Sequence, residues 1–281
     1  MAQIRPLNEV SDFWIQHAID EIKDSYDDTV LIKPKPLNKF GRSIATNTAG
    51  DKVTVATFQD AVTNETFATD ETIDQIVSTS GSDTGPIVVE GHTQDAGGNF
   101  TFVVQTVTLT GQTPADLGTD LIRCTRLYRP KGTFASPTSD FVGNIACFDS
   151  AANSGFTGGK PDVDASVKCM ITAGKNQSEK CATSLSSMDY WILTGVYAAV
   201  TRAGPQSAKA DIDIEFREVG GVWRPLGLEM SVDQESKGSE PLPLKPYRWI
   251  PKNSDVRMVF TASENNTVVQ GHIDGVLALV Q

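Results

Sequence analysis

Three features predict a mainly β fold: apolar residues alternate with period two from Lys52 onward, turn chemistry separates the alternating runs, and strand-like segments recur at regular intervals through the second half. The predicted architecture is an N-terminal helical arm and linker (1–39), a small antiparallel β domain (40–130) and an eight-stranded, jelly-roll-like β-sandwich (140–281). Only the arm breaks the β pattern.

From Glu9 to about Asp24, Val10, Phe13, Trp14, Ala18 and Ile22 recur at spacings of three and four, which places them on one helical face. Ser11 or Asn8 serves as a cap. Ile15 and Ile19 fall outside that stripe, so the helix has more apolar surface than one packing direction covers. Two readings stay open. Both faces bury within the chain itself, or Phe13, Trp14, Ile15 and Ile19 form a docking interface on a neighbour, as large apolar anchors do. The acids Asp20, Glu21, Asp24, Asp27 and Asp28 read as a solvated face, and Lys33-Pro34-Lys35-Pro36 as an extended, polyproline-like connector.

In the small domain, Ile87–Gly91 and Phe100–Leu109 flank Gln94-Asp95-Ala96-Gly97-Gly98-Asn99, which is a hairpin signal. A further strand is expected over Leu121–Tyr128, and 131–139, with its Gly, Pro, Ser and Thr, reads as the interdomain linker. The sandwich strands are expected near 142–148, 165–171, 190–200, 210–219, 222–232, 242–249, 256–262 and 268–280. Asp211-Ile212-Asp213-Ile214-Glu215-Phe216 alternates cleanly, so its apolar side turns to the core and its acids to water. Gly220-Gly221 predicts a two-residue hairpin into Val222. Trp191-Ile192-Leu193 and Val276–Val280 are apolar without alternation, which predicts central strands covered on both faces.

The chain has 281 residues, and 24 Lys plus Arg against 35 Asp plus Glu give a net charge of −11. With 39% hydrophobic residues it is long and apolar enough to bury a core unaided. The acidic balance argues against nucleic acid and anionic membranes as partners, since phosphate contacts want Lys or Arg. The opening residues lack the apolar block of a secretory signal, and no apolar run approaches membrane-spanning length, so a soluble protein made in a cytoplasm is expected. Cys124, Cys147, Cys169 and Cys181 show neither zinc nor thioredoxin spacing and read as buried, reduced thiols.

Catalytic and metal patterns are missing from the sequence. Gly155-Phe156-Thr157-Gly158-Gly159-Lys160-Pro161 fails the phosphate-loop spacing, and Pro161 stands where a magnesium-holding hydroxyl belongs. His17, His92 and His272 sit in separate units, with no nucleophile elbow for them to serve. The pairs Asp162/Asp164 and Asp211/Asp213 share strand faces, which alternating acids do far more often as a wet sheet side than as calcium ligands. The expectation is no catalytic residue, no metal and no cofactor.

The stretch Ile76–Thr84, the run Ile87–Asn99 with its Glu90-Gly91 and Asp95-Ala96-Gly97-Gly98-Asn99, and Gln105–Thr113 with Thr108-Leu109-Thr110-Gly111 resemble a strand–turn–strand pattern of tailed-bacteriophage virion structural proteins. Trp191–Val200, Ala210–Asp213 with Gly220–Trp223, and Ser254–Arg257 are similar to the second half of that family. The resemblance spans roughly residues 70 to 281 and is one of strands and turns. It implies a protein that is not an enzyme, binding the capsid exterior as a decoration or cement protein. Its partners would be further copies, as a homotrimer, and the major capsid protein or another virion protein, and it would be located in the virion after assembly in the host cytoplasm. A head fibre, tail or host-adsorption component is the alternative. A carbohydrate-binding module or glycan-active enzyme, with Trp191, Trp223 and Trp249 as sugar platforms, is the lesser one.

Overall fold

The computed structural model describes residues 8–24, 32–44, 47–59, 62, 64–130, 140–202, 207–228, 230–234 and 242–280, with side chains described except at 8–14, 24 and 242–247. The expected linker at 131–139 lies outside the described residues. In chain order the first elements are α1 (Asn8–Asp24), β1 (Ile32–Pro36), β2 (Lys39–Arg42), β3 (Lys52–Thr54), β4 (Ile73–Ser78), β5 (Thr84–Gln94), β6 (Phe100–Thr110), β7 (Ala115–Leu121) and β8 (Arg123–Tyr128). There follow β9 (Ile145–Asp149), β10 (Phe156–Thr157), β11 (Lys160–Pro161), β12 (Val167–Ile171), β13 (Ala182–Ser184) and β14 (Asp189–Arg202). The chain closes with β15 (Lys209–Glu218), β16 (Arg224–Pro225), β17 (Met230–Asp233), β18 (Leu242–Ile250), β19 (Ser254–Ala262) and β20 (Thr267–Val280). All the strand pairs are antiparallel, as the period-two pattern predicts.

The strands form two sandwiches. In the larger, a five-stranded sheet (β1-β20-β14-β18, with β2 also on β20) faces a six-stranded one (β13-β19-β15-β16, with β17 on β15 and β3 on β19). Trp191, Leu193 and Ile273 from the first sheet meet Ile212, Ile214, Met258 and Phe260 from the second in one core. The two non-alternating segments are indeed central: β14 pairs β20 on one side and β18 on the other. Their second face carries Ile192, Ala278 and Val280, and α1 covers it. Packing at the centre is close enough to fix one backbone choice, because a Cβ at Gly275 would lie 2.3 Å from Trp191 Nε1 and 2.5 Å from Ile192 O.

The smaller sandwich places the three-stranded sheet β6-β5-β8 over the four-stranded sheet β12-β9-β4-β7. Ile73, Ile76, Ile87, Val89, Leu109 and Leu127 fill it, together with Cys124, Cys147 and Cys169. The expected hairpin is β5–β6, whose tip is organised by Asp95: its carboxylate accepts from Gly97 N (2.8 Å) and Asn99 N (2.9 Å).

Four expectations need correction. Eight strands from 140–281 do not make the sandwich alone: β1, β2 and β3 join it, while β9 and β12 pair into the smaller one, across the division expected at 131–139. The reason is length. The long edge of β20 (14 residues) needs both β1 and β2 to cover it. Lys33–Pro36 is therefore a strand rather than a free connector; Pro34 and Pro36 are two apart, so both missing N–H groups fall on the same, outer side of an edge strand. Gly220-Gly221 does not make a two-residue hairpin: β16 pairs back only to Glu215 and Phe216, and the wider loop swings Trp223 between two guanidinium groups, Arg217 (4.7 Å) and Arg257 (4.0 Å). On α1 the buried stripe is Ile15, Ala18, Ile19 and Ile22, at spacings of three, one and three, so the two isoleucines assigned outside the apolar face are on it.

Replacing Ile22 by Ala removes a fully covered side chain from the helix–sheet seam. It should lower unfolding free energy by about 2–4 kcal/mol, read from urea denaturation, and a change within 0.5 kcal/mol (roughly the range for exposed sites) would show that the seam contributes nothing.

Candidate functional site

The densest polar construction lies where the two sandwiches meet, along β8 on one side and β13 and β19 on the other. Arg123 ends the small domain's last connection and is 2% exposed; Asp255 opens β19 and is fully buried. Arg123 Nε donates to Asp255 Oδ1 (3.0 Å) and Nη2 to Oδ2 (3.1 Å), a bidentate pair between residues 132 apart in sequence. The remaining donors go to carbonyls: Nη1 to Ala68 O (2.6 Å) and Ile122 O (2.8 Å), Nη2 to Phe67 O (3.0 Å). All five guanidinium N–H groups are therefore placed. Phe67 reaches its position with φ of +48°, outside the usual region for a side-chain-bearing residue, and its ring lies 5.1 Å from the Arg123 guanidinium.

Asp255 is equally saturated. Ser184 Oγ donates to Oδ1 (2.6 Å), and Arg217 Nε to Oδ2 (3.2 Å), while Arg217 also donates to Phe67 O. Glu71 Oε2 lies 3.6 Å from Arg123 Nη1, and Lys168 Nζ, from the far sheet of the smaller sandwich, lies 2.9 Å from Glu71 Oε1. Lys180 pairs with Glu65 and donates to Cys124 O (2.9 Å) and Lys168 O (2.8 Å), so one ammonium bridges the open side between β8 and β12. Burial works against its charge, but the Glu65 carboxylate outweighs that and raises its pKa. A third cluster, Glu215 with Lys52 (2.6 Å) and Arg257 (2.9 Å), lies beneath Trp223.

The histidines do not converge. His17 is exposed on α1, 3.5 Å from Glu21, and His272 is 3.0 Å from Asp274. His92 is buried beside Phe100 and Phe102; burial, then the charges of Lys39 and Arg123, push its pKa down to about 3, so it stays neutral. The acid pairs are held locally: Asp162 accepts from Thr157 (2.8 Å), Asp164 from Gln59 (2.9 Å), and Asp211 from Ser231. Among the described residues no three His, Cys, Asp or Glu side chains are grouped to hold a metal ion. All four cysteines are free and buried, with burial raising Cys181 to about 12; burial and then the hydrogen bond with Cys147 push Cys124 well up, and the hydrogen bond with Cys124 and then burial do the same for Cys169.

The other singled-out positions separate clearly. Trp191 is core, with Nε1 donating to Leu37 O (3.2 Å), Trp223 has its face occupied by arginines, and Trp249 alone of the three is exposed, edge-on to Tyr190 at 5.7 Å. Ile19 is buried against the chain's own sandwich and Ile15 packs at its margin, whereas the side chains of Phe13 and Trp14 lie outside the described ones. Large apolar side chains do reach the surface elsewhere: Phe102 and Val104, two apart on one face of β6, then Met188, Val222 and Trp249. Sequence reasoning missed the Arg123–Asp255 lock. Its one local trace was a charged residue set between Ile122 and Cys124 in a strand otherwise reading as core.

No protein-family model matches the chain, and no curated protein does. Among solved structures, the chain aligns with a structure of infectious bursal disease virus, Gx strain, at 9% identity and a TM-score of 0.23, covering 90% of this chain and 76% of that one. It aligns with a VP2 subviral particle of the same virus at 10% identity and a TM-score of 0.18, covering 90% and 73%.

Two outcomes follow from the junction. Asp255→Asn or Arg123→Met removes the bidentate partner of a desolvated charge, leaving Arg123 with Glu71 alone or Asp255 with Arg217 alone, and should cost about 3–5 kcal/mol, while the double replacement Arg123→Met/Asp255→Leu should recover part of that loss; additive losses in urea unfolding would contradict a coupled pair. His92 titrates near 6.5 when unfolded and about 3 when folded, so below pH 6.5 the unfolded chain binds the extra proton and stability falls as pH drops. His92→Phe should remove a slope of about 1.4 kcal/mol per pH unit between pH 6 and 4; an unchanged slope would place the acid sensitivity elsewhere.

Proposed function

We propose that this chain is a virion structural protein that binds the capsid exterior as a decoration or cement protein, acting by adhesion and not by turnover. The observation that carries the reading is a rigid two-sandwich body with large apolar side chains on its outside. Phe102 and Val104 project from the same face of β6, and Met188, Val222 and Trp249 from the larger sandwich and its loops. Exposed apolar clusters of this kind are where soluble proteins meet partners. The strand and turn pattern shared with phage virion proteins over roughly residues 70 to 281 supports the same reading. Further copies are the first partner, in a closed symmetric homotrimer, and the major capsid protein or another virion protein is the second. The role as head fibre, tail or adsorption component draws on the same surface but puts the contact on a host cell.

Purified protein added to expanded, undecorated capsids should bind stoichiometrically and raise their disruption temperature. Val104→Lys, at an exposed position opposite Glu90, should weaken that binding at least tenfold with the protein's own melting temperature unchanged within about 2 °C. Binding to host cells without binding to shells would move the assignment to adsorption, and glycan turnover would overturn the structural role.

A further inference from the structure

A cleft of about 450 Å³ opens between β2 and β8, and its walls include Lys39, Phe40, Arg126, Gln177 and Ser178. It has the size of small-molecule sites, which run from about 300 to 1,000 Å³. Its electrostatics differ from those of the rest of the junction. Arg123, Lys168, Lys180, Arg217 and Arg257 each have a carboxylate within ion-pair distance. Lys39 and Arg126 have none among the described residues, and both line this one cleft.

Lys39 is 7% exposed, and the bond it makes is Nζ to Thr125 O (2.8 Å), which leaves two ammonium donors uncommitted. Arg126 Nη2 donates to Gln177 Oε1 (3.1 Å), its guanidinium lies 4.6 Å from the Tyr128 ring, and its buried Nε has no partner. The other charged groups at this place are already engaged. Lys180 is paired with Glu65, His272 with Asp274, and Glu90, the register partner of Arg126, hydrogen-bonds the Tyr128 hydroxyl. A buried cation without a counter-ion is costly, and the chain has supplied counter-ions to the buried cations around it. Burial holds the Lys39 pKa down to about 8, the nearby charge of Lys180 acts in the same direction, and the Glu90 carboxylate offsets them only in part.

We propose that this cleft is a binding site for a small organic anion, a carboxylate or phosphate group on a body of about monosaccharide size, held between Lys39 and Arg126. The oxyanion takes the free Lys39 donors and the uncommitted Arg126 Nη1 donors, Gln177 and Ser178 offer polar contacts beside them, and Phe40 meets the body. Because Lys39 belongs to the larger sandwich and Arg126 to the smaller, the ligand also ties the two together.

The test titrates the full chain by calorimetry with inorganic phosphate, with glucuronate and with neutral glucose, at ionic strength matched by sodium chloride. Expected is saturable binding of phosphate, glucuronate or both, weakened at least tenfold by Lys39→Met and by Arg126→Met, with both variants folded by circular dichroism. Arg126 is only half-buried, so its variant keeps the test intact if Lys39→Met alters folding. The two charged probes separate a phosphate from a carboxylate ligand. Absence of saturation by either at 20 mM (a concentration about twentyfold above a millimolar Kd), binding retained in the Arg126 variant, or equal binding of glucose would each overturn the proposal.

Discussion

A guanidinium removed from water needs five acceptors, and the demand of Arg123 organises much of the molecule around it. Its donors reach Asp255 on β19, the carbonyls of Phe67 and Ala68, and its own neighbour Ile122. These acceptors come from three separate stretches of chain, so the loop before β4, the start of β8 and the start of β19 are located relative to one another by one side chain. Asp255 extends the requirement to Ser184 on β13 and Arg217 on β15. The positive φ of Phe67 follows from this arrangement, since turning its carbonyl toward two guanidinium groups is what holds the backbone there. A buried pair of this kind adds little net stability over apolar residues of the same shape, but it penalises every arrangement in which the partners are separated. Its contribution is to the specificity of how the sandwiches are joined.

The same economy of charge recurs one layer away. The smaller sandwich is two sheets whose edges approach on both sides. Gln105 and Thr119 tie β6 to β7, with Gln105 Nε2 donating to Thr119 O (2.8 Å) and Thr119 N to Gln105 Oε1 (2.9 Å), while Lys180 spans β8 and β12. Strand edges that would otherwise offer free carbonyls are thereby closed by side chains. Between them, Cys124, Cys147 and Cys169 are buried in the core, where free thiols act as small hydrophobes.

What was legible in the sequence is what periodicity encodes. β15 showed its apolar face in Ile212 and Ile214, although Glu215, expected to meet water, is buried against Lys52 and Arg257; β14 and β20 showed central placement by the lack of alternation in Trp191–Leu193 and Val276–Val280, and β5–β6 showed its turn in Asp95 to Asn99. Pattern fails where the partner decides. Pro34 and Pro36 read as a connector because proline lacks a donor, yet the uncovered edge of β20 accepts a strand whose outer side needs none. The α1 stripe was drawn through Ala18 and Ile22, which is right, but its width toward Ile15 and Ile19 is set by the sheet face of Ile192, Ala278 and Val280 beneath it. The junction was illegible for a stricter reason: Arg123 and Asp255 are distant in sequence, and neither segment carries a local mark that it answers the other.

Charge and apolar surface are distributed so that the two do not compete. The net charge of −11 is displayed by acids such as Asp211, on the wet side of β15, while the cations of the junction are turned inward. At physiological salt, fields between separate bodies fade over about 8 Å, so the acidic exterior keeps copies apart at a distance without opposing contact once surfaces meet. In the proposed attachment role, contact would depend on short-range complementarity at places such as Phe102 and Val104, with Glu90 the one charged residue directly across from them on β5. In the proposed role, sandwiches already joined by the buried Arg123–Asp255 pair would have little freedom to lose on attachment, and that cost is often what separates weak from firm association.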